Sequence, residues 1–336
     1  MVLVTGGTGL VGSHLLLQLV LAKTNVRAIY RTPKKLEQVK KIFYYHSQDA
    51  QLLFDSIDWR QGDILDIPSL EEAYEGVTYV YHCAAFISFN PSDFKKLERV
   101  NREGTANIVN MSIAKGIQKL CYVSTIGTIG RAGALKMADE ETEWSRQHAN
   151  PYALTKYLAE MEVWRGAQEQ LEVVIVNPGV ILGPGYWENG SGTFFKTASK
   201  GYNYYPPGSS GFVTVTDVIK IMVQLMRSDI QGERYITVAE NLTYKETLSR
   251  IATAMGKNPP EKELNISLLK VGRFIDWLQH KVTGKARTIT KSTIYGLTHP
   301  TTFSSRKLKQ ALEFEFEPLD KTIERCAELF IEEISE

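Results

Sequence analysis

Short apolar runs rich in β-branched and aromatic residues alternate with longer segments of helical hydrophobic period over the first half of the chain. The runs Met1–Thr5, Asn25–Tyr30, Ile57–Gln61, Thr78–His82, Lys119–Ser124 and Glu172–Asn177 predict strands. Between them, Gly9–Lys23, Pro33–Phe54, Ser69–Tyr74, Ser92–Lys115 and Pro151–Gln170 predict helices. Such alternation, with strands apolar on both faces, predicts an α/β fold, a doubly wound parallel sheet wrapped by helices. After Asn177 the texture changes to aromatic loops punctuated by Pro and Gly, then to helix-period segments around Asp217–Met226, Leu268–Lys281 and Asp320–Glu333. This predicts a sheet domain over 1–177 and a smaller, mixed α/β domain over 178–336, with segments around 212–226 returning to the first domain.

Composition narrows the class of partner. The 336 residues are 43% hydrophobic and 23% charged, enough for one large core or for two domains sharing an interface. With 39 basic against 38 acidic residues, the chain lacks the basic field that nucleic acid or a membrane surface would demand. A small-molecule substrate is the expected partner, and self-association into a homodimer stays open. Cys83, Cys121 and Cys326 form no metal-binding spacing and fit a reduced, cytoplasmic protein. Met1–Thr5 already reads as a strand, leaving no room for a leader, and the apolar stretch Leu15–Ala22 is far short of a membrane span of about 20 residues. The six histidines make no close-spaced ligand pair, so no metal is expected, and His14 and His82 read as structural residues.

Chemistry enters with Thr5-Gly6-Gly7-Thr8-Gly9-Leu10-Val11-Gly12, which follows the first strand and opens a helix. Glycines there allow a tight turn and close approach to a pyrophosphate, whose charge the helix N-terminal N–H groups stabilise. Gly6, Gly9, Leu10, Val11 and Gly12 are therefore candidate cofactor contacts in a Rossmann-type domain. NAD-type recognition places a carboxylate after the second strand; this chain has Arg31 there, with Lys34 and Lys35 behind it. Those cations suit a 2′-phosphate, which favours NADP(H) over NAD(H). Asp63 and Ile64 after the third strand, and Ala84 and Ala85 after the fourth, fall where strand ends should line the cofactor crevice.

Asn150-Pro151-Tyr152-Ala153-Leu154-Thr155-Lys156 reads as a helix start, with Asn150 as the cap and Pro151 at the first helical position. Tyr152 and Lys156 then share a face, where an ammonium could favour the phenolate. The glycine loop, Ser124-Thr125 at the end of the fifth strand and this Tyr-x-x-x-Lys helix resemble, in that order, the extended short-chain dehydrogenases/reductases. The likeness spans at least residues 1–220 and continues in Val100–Thr105, Asn177-Pro178-Gly179 and Phe212–Val218. It implies Thr125, Tyr152 and Lys156 as the catalytic set: Thr125 bonds the reacting oxygen, Tyr152 exchanges its proton and Lys156 holds the nicotinamide ribose. Ser124 is the adjacent hydroxyl. The same likeness places Asn101, Ser124, Pro178 and Val180 near the cofactor, with a structural role for Asn101 equally open.

Two branches of that group compete, carbonyl reductases akin to dihydroflavonol reductase or 3β-hydroxysteroid dehydrogenase, and nucleotide-sugar epimerases or dehydratases. The epimerase pattern expects Arg-Asp where Ser210-Gly211 stands and an acid where Arg31 stands; the dehydratase pattern expects an acid where Ile126 stands. Aromatics at Phe86, Phe89, Tyr186, Trp187, Phe194, Phe195, Tyr202, Tyr204 and Tyr205 suit an apolar or aromatic carbonyl compound, although core packing is the commoner fate of such residues. Phe86, Thr125, Ile126, Asn177, Phe194 and Tyr204 are the candidate substrate contacts. A non-catalytic NADP(H) sensor or scaffold is the reading from another class, opposed by the intact Thr125, Tyr152 and Lys156. The amphipathic stretch Leu268–Lys281, carrying Val271, Phe274, Ile275, Trp277 and Leu278, reads as packing of the small domain, with a lid, a dimer surface or a membrane-lying helix as alternatives.

Overall fold

A computed structural model describes residues 1–131, 137–283 and 290–335, apart from the side chains at 148, 268, 270, 274, 278 and 280–283. The first six strands are β1 (Val2–Thr5), β2 (Val26–Tyr30), β3 (Asp58–Gln61), β4 (Tyr79–His82), β5 (Lys119–Val123) and β6 (Glu172–Pro178). Later come β7 (Val180–Leu182), β8 (Tyr204–Tyr205), β9 (Ser209–Thr214), β10 (Glu233–Thr237), β11 (Glu240–Thr243) and β12 (Lys262–Glu263). Seven of them form one parallel sheet in the order β10-β6-β5-β4-β1-β2-β3. The order reverses beside β1, and an open sheet of this kind takes its ligand outside the strand ends at such a switch point.

Alternation along each strand feeds two cores. Val2 and Val4 of β1, Cys121 of β5 and Val174 and Val176 of β6 face one side, packed under the helices Leu10–Leu21 and Val215–Arg227. Leu3, Leu120, Tyr122, Val173 and Ile175 face the other, under Gly104–Ala114 and Pro151–Gln168. The helix Val215–Arg227 thus packs on the large sheet, whereas 212–214 belongs to β9 outside it, and β10 extends the large sheet at its edge. The strands β11-β9-β7 and the pair β12-β8 lie outside it, with their own core of Leu182, Trp187, Phe195, Phe212, Ile323 and Phe330.

Two expected helices differ in form. The segment 33–54 is two helices, Lys34–His46 and Ala50–Asp55, because Ser47 Oγ accepts the Asp49 N–H at 3.1 Å and gives the backbone a local alternative to the helix. The segment 92–115 is helical but passes through a π-helical stretch, Glu98–Glu103, before Gly104–Ala114. Helix Ile266–Thr283 exposes Ile266, Val271, Ile275 and Trp277, while the side chains of Phe274 and Leu278 lie outside the described residues. Among the described residues no helix is long and apolar enough to cross a membrane.

Candidate functional site

Whether the loop after β1 fits a dinucleotide is answered by its packing. Gly6 has φ +70°, and a Cβ there would stand 2.5 Å from the Ala84 nitrogen; one on Gly12 would stand 2.2 Å from the Gly6 carbonyl oxygen. No side chain caps the helix that starts at Leu10, so the first-turn N–H groups of Leu10, Val11 and Gly12 are left for an anion. Tyr186 donates its hydroxyl to the Thr8 carbonyl at 3.0 Å and holds the loop from the far side. The residues present fit a pyrophosphate.

At the adenosine end, Arg31 pairs with Asp63 at 3.5 Å while staying about half exposed. Asp63 also accepts the Leu65 N–H at 3.0 Å, so its carboxylate shapes the turn after β3 as well. Lys35 is exposed on the first turn of its helix. The Ile64 side chain is buried in the core and its carbonyl accepts from Asn107 at 2.9 Å. Ala84 is the backbone wall against Gly6, and Ala85 beside it is exposed.

The helix carrying Tyr152 starts as its sequence demands, with Asn150 Oδ1 accepting the Ala153 N–H at 2.7 Å. Tyr152 keeps part of its surface open, with its ring edge-on to Phe89 at 6.0 Å, and its phenol is enclosed enough that burial pushes its pKa up to about 12. Lys156 is buried, and burial lowers its pKa to about 7 against the opposing pull of Glu160. Its ammonium donates to Tyr122 Oη at 2.5 Å and to the Val123 carbonyl at 2.8 Å. The expected Lys156–Tyr152 proximity is thus replaced here by contacts with β5. Thr125 stands at the end of β5 with its oxygen accepting the Gly127 N–H at 3.2 Å, which leaves its own hydroxyl hydrogen to donate.

Three candidate side chains are buried on partners of their own. Ser124 donates to Glu160 Oε2 at 2.5 Å, and Asn177 donates to the same oxygen at 3.0 Å and to Thr128 at 2.9 Å. Both side chains are buried on this carboxylate and do not line a cofactor or substrate surface. Asn101 accepts the Phe86 N–H at 2.7 Å and donates to the Phe86 carbonyl and to Thr155, so it clamps the loop after β4 and has no amide hydrogen left to donate. Ile126 packs on a small apolar cluster with Ile129 and Ile236. Among the aromatics, Trp187 and Phe195 are core, and Phe194 stacks on Tyr244 and meets Phe212 edge-on, so it too serves small-domain packing. Phe86 lies under the Lys96 ammonium at 4.2 Å, and Tyr204 is exposed on β8. Pro178 is buried at the end of β6, and Val180 pairs with Phe212. No cluster of metal-ligating side chains occurs among the described residues.

Sequence reasoning missed Glu160, Tyr122 and Arg234. Glu160 is one turn beyond Lys156 on the same face, a spacing that could have signalled it.

Fold and loop together define an NAD(P)-dependent oxidoreductase of the extended short-chain type. The chain belongs to the NAD-dependent epimerase/dehydratase family, whose model matches residues 2–238. It is 29% identical over 278 residues to sterol demethylase protein B of Methylococcus capsulatus, covering 80% of each chain. To a putative dihydroflavonol 4-reductase of Synechocystis it is 28% identical, over 83% of this chain and 78% of the relative. The crystal structure of gox2253 superposes with a TM-score of 0.82 at 25% identity, over 99% and 98% of the two chains.

Proposed function

We propose that the protein reduces a carbonyl, or oxidises the corresponding alcohol, of a small apolar or aromatic substrate with NADP(H). The observation that carries this reading is Tyr152: a partly open phenol without a hydrogen-bond partner among the described residues, one helical turn before a buried lysine and edge-on to the half-exposed Phe89. The bound nicotinamide supplies or accepts the hydride. Tyr152, protonated at neutral pH with a pKa near 12, delivers its proton to the carbonyl oxygen as the alkoxide forms. Thr125 directs its free hydroxyl hydrogen at the same oxygen, and Lys156 orients the ribose. In oxidation the proton moves back to Tyr152.

Arg31 supports the choice of NADP(H). Its ion pair with Asp63 is long and half exposed, hence weak, so the guanidinium can turn to a 2′-phosphate beside the exposed Lys34 and Lys35. Phe89 on the loop after β4 supplies an apolar face beside the phenol, which suits a substrate without charge at the reacting end. The test is a panel of aldehydes, ketones and nucleotide sugars offered with NADPH and NADH. The reading expects net NADPH consumption with an apolar carbonyl; conversion of a nucleotide sugar alone, without net loss of cofactor, would overturn it.

A further inference from the structure

Thr5, His82 and Tyr122 sit in register on three adjacent strands, Thr5 opposite His82 and His82 opposite Tyr122. All three side chains are fully buried on one face of the sheet, where neighbouring rows are aliphatic. A polar row in such a place must satisfy itself internally. His82 Nδ1 meets Thr5 Oγ1 at 2.6 Å and its Nε2 meets Thr105 Oγ1 at 2.9 Å. Its ring stacks on Tyr122 at 5.4 Å. Thr105 acts in turn on the Tyr122 phenol, whose oxygen receives the Lys156 ammonium.

We infer that Tyr122 is a positioning residue for Lys156, the end of a buried chain through Thr105, His82 and Thr5 that ties the lysine to the strand feeding the glycine loop. The inference rests on the proposed role of Lys156 at the cofactor ribose. Polarity follows from the lysine: an ammonium only donates, so Tyr122 accepts from it through the phenol oxygen. Thr5 Oγ1 also takes the Ala84 N–H at 3.4 Å, next to the point where Gly6 packs. The titratable groups around Lys156 are few: Glu160 on its own helix, His82 and Cys83 at the end of β4, and Tyr122 on β5. His82 is held neutral by burial and by the lysine itself, so it serves the chain as a dipole.

Tyr122→Phe keeps the ring stacked on His82 and removes only the acceptor. Losing it disfavours the ammonium, so the pKa of Lys156 falls. The dissociation constant of NADPH, read from its fluorescence, should rise with pH as Lys156 loses its proton. In Tyr122→Phe that rise should begin lower by about one pH unit, the scale of one charge-assisted hydrogen bond. Thr105→Val should move the curve the same way, and Thr105→Ser should restore it; this pair decides the matter if Tyr122→Phe does not fold. Curves for Tyr122→Phe and Thr105→Val that superpose on that of the unaltered protein overturn this inference alone. Failure of the unaltered protein to bind NADPH at any pH overturns the underlying function and this inference with it.

Discussion

Arg234 on β10 meets Glu160, two turns beyond Tyr152 on its helix, at 3.1 Å, and the carboxylate it meets has no exposed surface. Ser124, Thr128 and Asn177 donate to the other oxygen of Glu160, so one buried charge joins β5, β6, β10 and the Tyr152 helix. Arg234 reaches further, to the Glu140 carbonyl, and the Glu140 carboxylate accepts the Ile236 N–H at 2.8 Å.

Removing one partner of a buried pair strands the other charge, at a cost of about 3 kcal/mol or more. Arg234→Ala should therefore lower the free energy of unfolding by an amount of that order, read from equilibrium denaturation as a lowered midpoint. An unchanged midpoint would mean that Glu160 is held by its three neutral donors alone.

Cofactor choice is tested at Arg31. Arg31→Asp should lower the ratio of kcat/KM for NADPH over NADH by about tenfold or more, since a charge-assisted contact is lost and a carboxylate for the ribose 2′-hydroxyl is gained. An unchanged ratio places recognition of the 2′-phosphate on other residues.

The parallel sheet and the glycine loop were legible because they depend on local patterns. Strands buried on both faces announce themselves as apolar runs, Gly6 is favoured by its positive φ, and Gly12 is demanded by the Gly6 backbone six residues before it. The start of the Tyr152 helix was legible for the same reason: Asn150 caps it from three residues away. What sequence did not reveal is where buried polar side chains find partners. Ser124 and Asn177 looked like crevice residues from position alone, yet Glu160, 36 and 17 residues from them and itself paired with Arg234, draws both inward. Asn101 was diverted by the π-helical stretch that aims it at Phe86, a local change of pitch that hydrophobic period does not encode.

Loop packing makes a graded prediction. Gly12→Ala would force a Cβ to 2.2 Å from a backbone oxygen, whereas Gly9→Ala places one at 3.4 Å, close to ordinary contact. NADPH titration should show binding weakened about tenfold or more in Gly12→Ala, and much less in Gly9→Ala. Equal losses would argue against the crowding account.

Acid sensitivity should begin before carboxylates titrate. Burial depresses His14 and His82 to about 3, whereas both titrate near 6.5 in an unfolded chain. Below 6.5 the unfolded state binds more protons, so stability present above that pH is lost as pH falls toward 3. Between pH 6.5 and 5, unfolding should take up protons and its free energy should fall by up to about 1.4 kcal/mol per pH unit for each histidine. A stability that is flat across this window would contradict the neutral, buried state of both rings.

The most direct measurement of the central claim compares Tyr152→Phe with the unaltered protein, using NADPH binding by fluorescence and NADPH oxidation with an accepted carbonyl. Phe preserves the ring against Phe89 and removes only the proton donor. The account predicts near-normal NADPH binding with turnover reduced about 100-fold or more. Turnover within a few-fold of the unaltered protein, with binding intact, would contradict it and remove Tyr152 from the proton transfer.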